Sequence, residues 1–147
     1  MTIQTKFHGE LDIQGIPQWT FPNGLPGLEQ EKTFVLLPIE GNNTFQVMQS
    51  TKTPIIGLIV SNPYPLVPNY SFEIDDPTIE LLGIESQEEL MVLAIMSLKL
   101  PFKSSSLNLQ GPLIFNTNNH KAKQMILNDT TYNLRHPIGE LAEKGAQ

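Results

Sequence analysis

The sequence predicts a mainly β protein folded as one domain, with room for only one or two short helical turns. Twelve prolines and ten glycines cut the chain into short apolar runs, which leaves no space for long helices and favours strands joined by turns. Those runs are rich in β-branched and aromatic residues. At 147 residues and 39% hydrophobic, the chain carries enough apolar surface for one modest core. Charged residues make up only 16% of it, so Asn, Gln, Ser, Thr and Pro must fill out much of the surface.

Thr5 to Phe7 and Glu10 to Ile13 read as two short strands meeting at His8-Gly9, with Phe7, Leu11 and Ile13 on the buried side. Pro17 and Trp19 then lead into a loop. Residues Thr20 to Glu31 hold two prolines and two glycines, more turn chemistry than a simple connection needs. Asn23-Gly24 suits a turn of positive φ, and Leu25-Pro26-Gly27 suits a type II turn with Gly27 at the position requiring φ above zero. Phe21, Leu25 and Leu28 would pin this loop to the core. It is not a phosphate-binding loop, since it matches neither GK[ST] nor GxGxxG.

Thr33 to Leu37 and Phe45 to Ser50 are the next strands, linked by a hairpin turn at Glu40-Gly41-Asn42-Asn43. Ile55 to Val60 reads as a continuous apolar strand buried on both sides. Three prolines between Asn62 and Asn69 lack backbone donors, so this stretch becomes an extended crossover or a sheet rim. Tyr70, Phe72 and Ile74 alternate with Ser71 and Glu73 as in a half-buried strand, with Glu73 facing outward. Asp76-Pro77 is a helix start with Asp76 as N-cap, the helix running from Thr78 to Leu82 and ending at Gly83. Ser86 to Glu89 reads as a capping box before the strand Met91 to Leu98.

After a loop from Leu100 to Ser106, strands Leu107 to Leu109 and Leu113 to Asn116 are separated by Gly111-Pro112. Asn116 to His120 turns the chain into a last strand, Ala122 to Leu127, although Lys121 to Leu127 also fits a short helix. From Thr131 the apolar periodicity is lost. The domain is expected to span residues 1–138, and Ile138 to Gln147 to fray or to order on a partner.

Charge is the most uneven property of the chain. Between Thr53 and Leu98 there are seven carboxylates, Glu73, Asp75, Asp76, Glu80, Glu85, Glu88 and Glu89, and no Lys or Arg. The rest of the chain sums to about +1, so this stretch accounts for the whole net charge of −6. One acidic face is expected, attractive to a basic partner and repulsive to phosphate polymers. Helix capping explains Asp76, Glu88 and Glu89 in part; Glu73 and Asp75 have no such local reason. Beside them, Tyr64 with Leu66 and Val67 on the proline-rich rim forms a candidate partner-facing patch.

Other chemistry is hard to find. The chain has no cysteine, which removes disulfides, thiolate nucleophiles and thiolate zinc sites together. His8, His120 and His136 stand apart from one another, so no metal triad is expected. Glu73, Asp75 and Asp76 lack EF-hand spacing and its glycine. No GxSxG occurs, and Ser104 to Ser106 have no base nearby in sequence. A pI of 4.9 with scattered cations argues against nucleic-acid binding. No stretch approaches the roughly 18 apolar residues of a membrane span, and the N-terminus does not resemble a secretion signal. A soluble, cytoplasmic, non-enzymatic protein without cofactor or metal is expected.

Phe7-His-Gly-Glu-Leu11, Phe21-Pro-Asn-Gly-Leu-Pro-Gly-Leu28, Phe45-Gln-Val-Met-Gln-Ser50, Asn62-Pro63 with Pro68-Asn-Tyr70, Leu107-Asn-Leu109 with Pro112-Leu-Ile-Phe-Asn116, and Lys123-Gln124 form an ordered set of landmarks. In that order and spacing the chain resembles the flagellar assembly factor FliW family as far as about Ile138. Leu28 departs from the Phe usual in the family, and Gly57 from a larger apolar residue; both departures concern packing.

The resemblance implies a small antiparallel β-barrel-like domain that is not an enzyme. It implies binding to CsrA, a basic dimeric RNA-binding protein, with noncompetitive relief of its repression of flagellin translation, and a second partner, flagellin, with which the protein switches. Such a protein would be monomeric when free. Joined to the charge reading, it places Glu73, Asp75 and Asp76, with Asn69 and Tyr64 beside them, as candidate CsrA-binding residues. The alternative class is a flagellin-specific cytoplasmic chaperone with no effect on an RNA regulator. A third class, a β-barrel enzyme, has no candidate constellation.

Overall fold

The computed structural model describes residues 1–128 and 131–138. Its strands are β1 (Thr2–Gln4), β2 (Glu10–Asp12), β3 (Gln18–Thr20), β4 (Thr33–Ile39), β5 (Asn42–Ser50) and β6 (Gly57–Ser61), then β7 (Leu90–Ser97), β8 (Ser106–Leu107), β9 (Leu113–Asn116), β10 (Lys121–Gln124) and β11 (His136–Pro137). Helix α1 (Asp76–Leu82) and 3-10 turns at Gln87–Glu89 and Phe102–Ser104 complete the described elements. The main sheet runs β7-β6-β5-β4-β3-β10-β9, and β9 pairs back onto β7, closing a seven-stranded barrel. All ladders are antiparallel except the short one between β10 and β3, at Lys121 and Thr20.

The alternation of side chains along β4 and β5 explains how apolar runs such as Phe34 to Leu37 are accommodated. Phe34 and Met48 point into the barrel, where they meet Phe21, Val60, Leu93 and Phe115. Val35, Leu37 and Val47 point outward and are covered by Ile3 and Ile13 of the β1–β2 hairpin and its flank. Both faces of this strand pair are therefore dry. Inside, Phe21 packs edge-on against Phe34 and Phe115 at centroid distances of 5.3 and 5.8 Å, and Trp19 against Phe115 at 5.0 Å. Such contacts add about 0.5–1.5 kcal/mol each to simple burial.

The loop at Phe21 to Glu31 is ordered as its sequence requires. Leu25 and Leu28 exchange backbone hydrogen bonds around Pro26-Gly27, with Gly27 at φ 82°. Phe21 and Leu25 are buried and Leu28 half-buried. The hairpin between β4 and β5 turns at Glu40-Gly41, tighter than the four residues expected.

Several expectations are corrected. The first strand is Thr2–Gln4 rather than Thr5 to Phe7, and Phe7 is exposed. Thr5 explains the shift: its hydroxyl donates to Gly9 O at 2.7 Å and accepts from His8 N at 2.8 Å, making residues 5–9 the turn itself. Trp19 lies in β3 and not in a loop. β6 begins at Gly57, because Ile56 N donates to Thr53 O and turns Ile55 out to solvent. Tyr70 to Ile74 alternates in burial as expected but joins no ladder. The last core strand is Lys121–Gln124, a strand and not a helix. Ile138, expected to fray, is buried against Leu107 and Leu109, and its N–H donates to Ser105 O at 3.2 Å. Residues 139–147, read from the sequence as a flexible tail, lie outside the described residues.

Candidate functional site

At Asn62-Pro63 the chain leaves the sheet, and after the turns of residues 63–69 it returns as the extended segment Tyr70 to Ile74. The ring of Tyr70 anchors that return. Its hydroxyl donates to Leu109 O at 2.7 Å, and the ring meets Tyr132 edge-on at 4.7 Å and Tyr64 at 5.9 Å. Burial pushes both the Tyr64 and Tyr70 phenols above their ordinary pKa, so both stay protonated donors at neutral pH.

Helix α1 follows at once, and its cap is Asp75, one residue earlier than expected. The Asp75 carboxylate accepts from Thr78 N at 2.8 Å, which leaves Asp76 as the first helical residue and Pro77 as the second, where no amide donor is needed. Hydrogen bonding from Thr78 holds the Asp75 carboxyl below the ordinary aspartate value, against desolvation and with help from the Lys123 charge. At the other end Gly83, at φ 63°, closes the helix in the left-handed region. Asn116, the last residue of β9, and Asn119 of the β9–β10 turn both donate to Leu82 O, at 2.9 and 2.8 Å. After α1, Ser86 caps the turn Gln87–Glu89 through Glu88 N, and the chain enters β7.

Together the extended segment, α1 and the start of β7 enclose a groove of about 790 Å³. Phe72, Ile79, Ile84 and Met91 give it an apolar lining, with Tyr64 and Glu73 among its walls. Of the five residues singled out from sequence, the structure brings Tyr64 and Glu73 together here. Asp75 and Asp76 sit at the helix start and Asn69 on the preceding turn, all three exposed and outside the lining. Ile79 and Ile84 were missed. Their only mark in the sequence is a seven-residue helix too short to bury an apolar face of its own.

The seven carboxylates of the acidic stretch all belong to residues 73–89, the segment that supplies two walls of the groove. Most of them are open to solvent. Among the described residues none of them is ion-paired; the salt bridge found joins the N-terminal ammonium to Asp12 at 3.6 Å. The negative charge is therefore not cancelled within the described fold. No group of three His, Asp or Glu side chains among the described residues could hold a metal ion. Among the described residues no helix is long and apolar enough to cross a membrane.

The family model of the FliW protein matches residues 2–138. The chain belongs to the FliW family. The flagellar assembly factor FliW of Bacillus licheniformis is 42% identical over 139 residues, covering 95% of this chain and 97% of the relative. That of Oceanobacillus iheyensis is 43% identical over 138 residues, covering 94% of each. The Bacillus subtilis protein is 38% identical over 139 residues, covering 95% of this chain and 97% of the relative. The crystal structure of a flagellar assembly factor FliW superposes with a TM-score of 0.89 at 34% identity, over 95% of this chain and 97% of that one. FliW proteins are flagellar assembly factors and not known enzymes, and the barrel described above is the family's fold.

Proposed function

We propose that this flagellar assembly factor acts by binding CsrA, the basic RNA-binding repressor, away from its RNA site, and that flagellin competes for the protein in turn. The observation that carries the reading is the unneutralised acidic segment, seven carboxylates over residues 73–89 beside an apolar groove. Such a field accelerates encounter with a cationic surface and disfavours nucleic acid as the partner. Once docked, it adds negative potential beside the RNA path, so RNA affinity falls by linkage without the two ligands sharing a surface. When flagellin is abundant it occupies the protein, and CsrA stays free to repress. When flagellin is exported, the protein turns to CsrA and translation resumes.

A gel-shift titration tests this. CsrA is bound to flagellin leader RNA, and this protein is added with and without flagellin. The expected result is release of RNA to a plateau that excess RNA does not reverse, with flagellin restoring the CsrA–RNA band. No change in RNA binding at any concentration, with flagellin still captured in a pull-down, would leave the chaperone reading in its place.

A further inference from the structure

The groove borders an interrupted sheet edge. Along β7 the odd-numbered residues bond toward β9 and β8, as shown by Thr117 N donating to Glu89 O at 2.8 Å and Asn108 N to Ile95 O at 2.9 Å. The even-numbered residues therefore face β6. That ladder stops at Val60↔Ile95 and Ser61↔Ala94, where β6 ends and the chain departs. The Leu90 amide is already bonded to Gln87 O, but Val92, which has Ile114 of β9 on its other flank, has no strand beside it on the β6 side among the described residues. Across the groove the amides of Phe72, Glu73 and Ile74 also make no hydrogen bond within the described residues. Two extended backbones with unused hydrogen-bonding groups thus flank one apolar channel. Unsatisfied backbone of this kind is a template for an added strand.

We propose that the groove accepts an extended segment of a partner protein, in which apolar residues alternate with Lys or Arg, as a strand added to the open edge of β7. The backbone pairing would come from Val92 and from residues 72–74. Alternate apolar side chains would enter between Phe72, Ile79, Ile84 and Met91, and the intervening cations would reach the surrounding carboxylates, Glu73 first. Charge selects the occupant. Residues 53–98 carry seven carboxylates and no cation, whereas the chain's own last nine residues bring two more glutamates and one lysine. This inference deepens the reading above, sharing its premise of a cationic protein partner.

The test uses the full chain and three synthetic nine-residue peptides: alternating Val and Lys, the same peptide N-methylated at alternate residues, and alternating Val and Glu. Affinity is read by fluorescence anisotropy, and amide exchange at Phe72, Ile74 and Val92 by NMR. The Lys peptide is expected to bind and to slow exchange at these amides at least about tenfold. N-methylation should weaken it by at least about tenfold, and the Glu peptide should not bind. Ile79→Arg, at a position 37% exposed, should abolish binding while keeping the wild-type melting temperature. Equal affinity for the N-methylated peptide, or binding without protection of Val92, would overturn the added strand. So would a Val92 amide already protected in the free protein, which would mean this chain or a second copy fills the groove. CsrA capture is measured on the same sample: capture with a negative peptide result removes this inference alone, and peptide binding without capture removes the named partner alone.

Discussion

Gly24 and Gly27 sit three residues apart, both at positive φ, yet they are not equivalent. A Cβ at Gly24 would run into the backbone of Glu29, while one at Gly27 would meet open space. Gly24→Ala should therefore cost about 2–4 kcal/mol, from strain and overlap together, and Gly27→Ala only about 1 kcal/mol. Urea denaturation of the two variants checks the ordering, and equal losses would show that the loop yields at Glu29. A second residue makes the fold sensitive to acid. Glu31, 8% exposed, accepts from the hydroxyls of Ser50 at 2.5 Å and Thr53 at 2.8 Å. The Ser50 bond, against desolvation and with support from Thr53 and the Lys52 charge, holds its carboxyl below the usual glutamate value. A depressed folded pKa means the stabilisation is complete above the unfolded value of about 4.3 and disappears as the pH falls through the folded one. The melting temperature of the wild type should thus fall more steeply than that of Glu31→Gln below about pH 4.3; parallel curves would show that Glu31 is not the group responsible.

Helix α1 has seven residues, too few to persist alone, so its place beside the groove depends on what holds its ends. Asp75 holds the first turn, and Asn116, fully buried in β9, holds the last together with Asn119. Asn116→Ala should destabilise the protein by about 1–3 kcal/mol. Its signature is faster amide exchange confined to α1, since Leu82 O keeps only Asn119; a uniform rise across the barrel would place the role of Asn116 elsewhere. The sequence announced this helix through Asp-Pro and Gly83, but not which aspartate caps it, because Asp75 and Asp76 satisfy the same local rule. Reversing Asp75 would damage the fold as well as the charge, so charge tests belong on Glu73 and Glu80, which hold no cap. The proline-rich rim and the alternation of Tyr70 to Ile74 were likewise legible. Whether Tyr70 to Ile74 found a pairing partner was not, since that depends on where β6 stops.

For the whole molecule, what could be read from sequence divides along the range of the interaction. Turn residues at Gly24, Gly27, Gly41 and Gly83 act within a few positions and were readable one by one. Barrel closure was not, because it joins Leu90–Leu93 to Leu113–Asn116, and no local pattern records that pairing. The same holds for Ile138, which comes back to the core beside Ser105. The acidic segment was legible because counting charge requires no geometry; the structure adds that it borders a groove and is not ion-paired within the described fold. The most direct measurement is stopped-flow association with CsrA across a series of ionic strengths, comparing the wild type with the double variant Glu73→Lys/Glu80→Lys. The wild-type rate constant should drop steeply with added salt, and the variant should associate about tenfold more slowly at low salt with a flatter dependence. Identical rates for the two proteins at every ionic strength would contradict a steering role for the acidic segment.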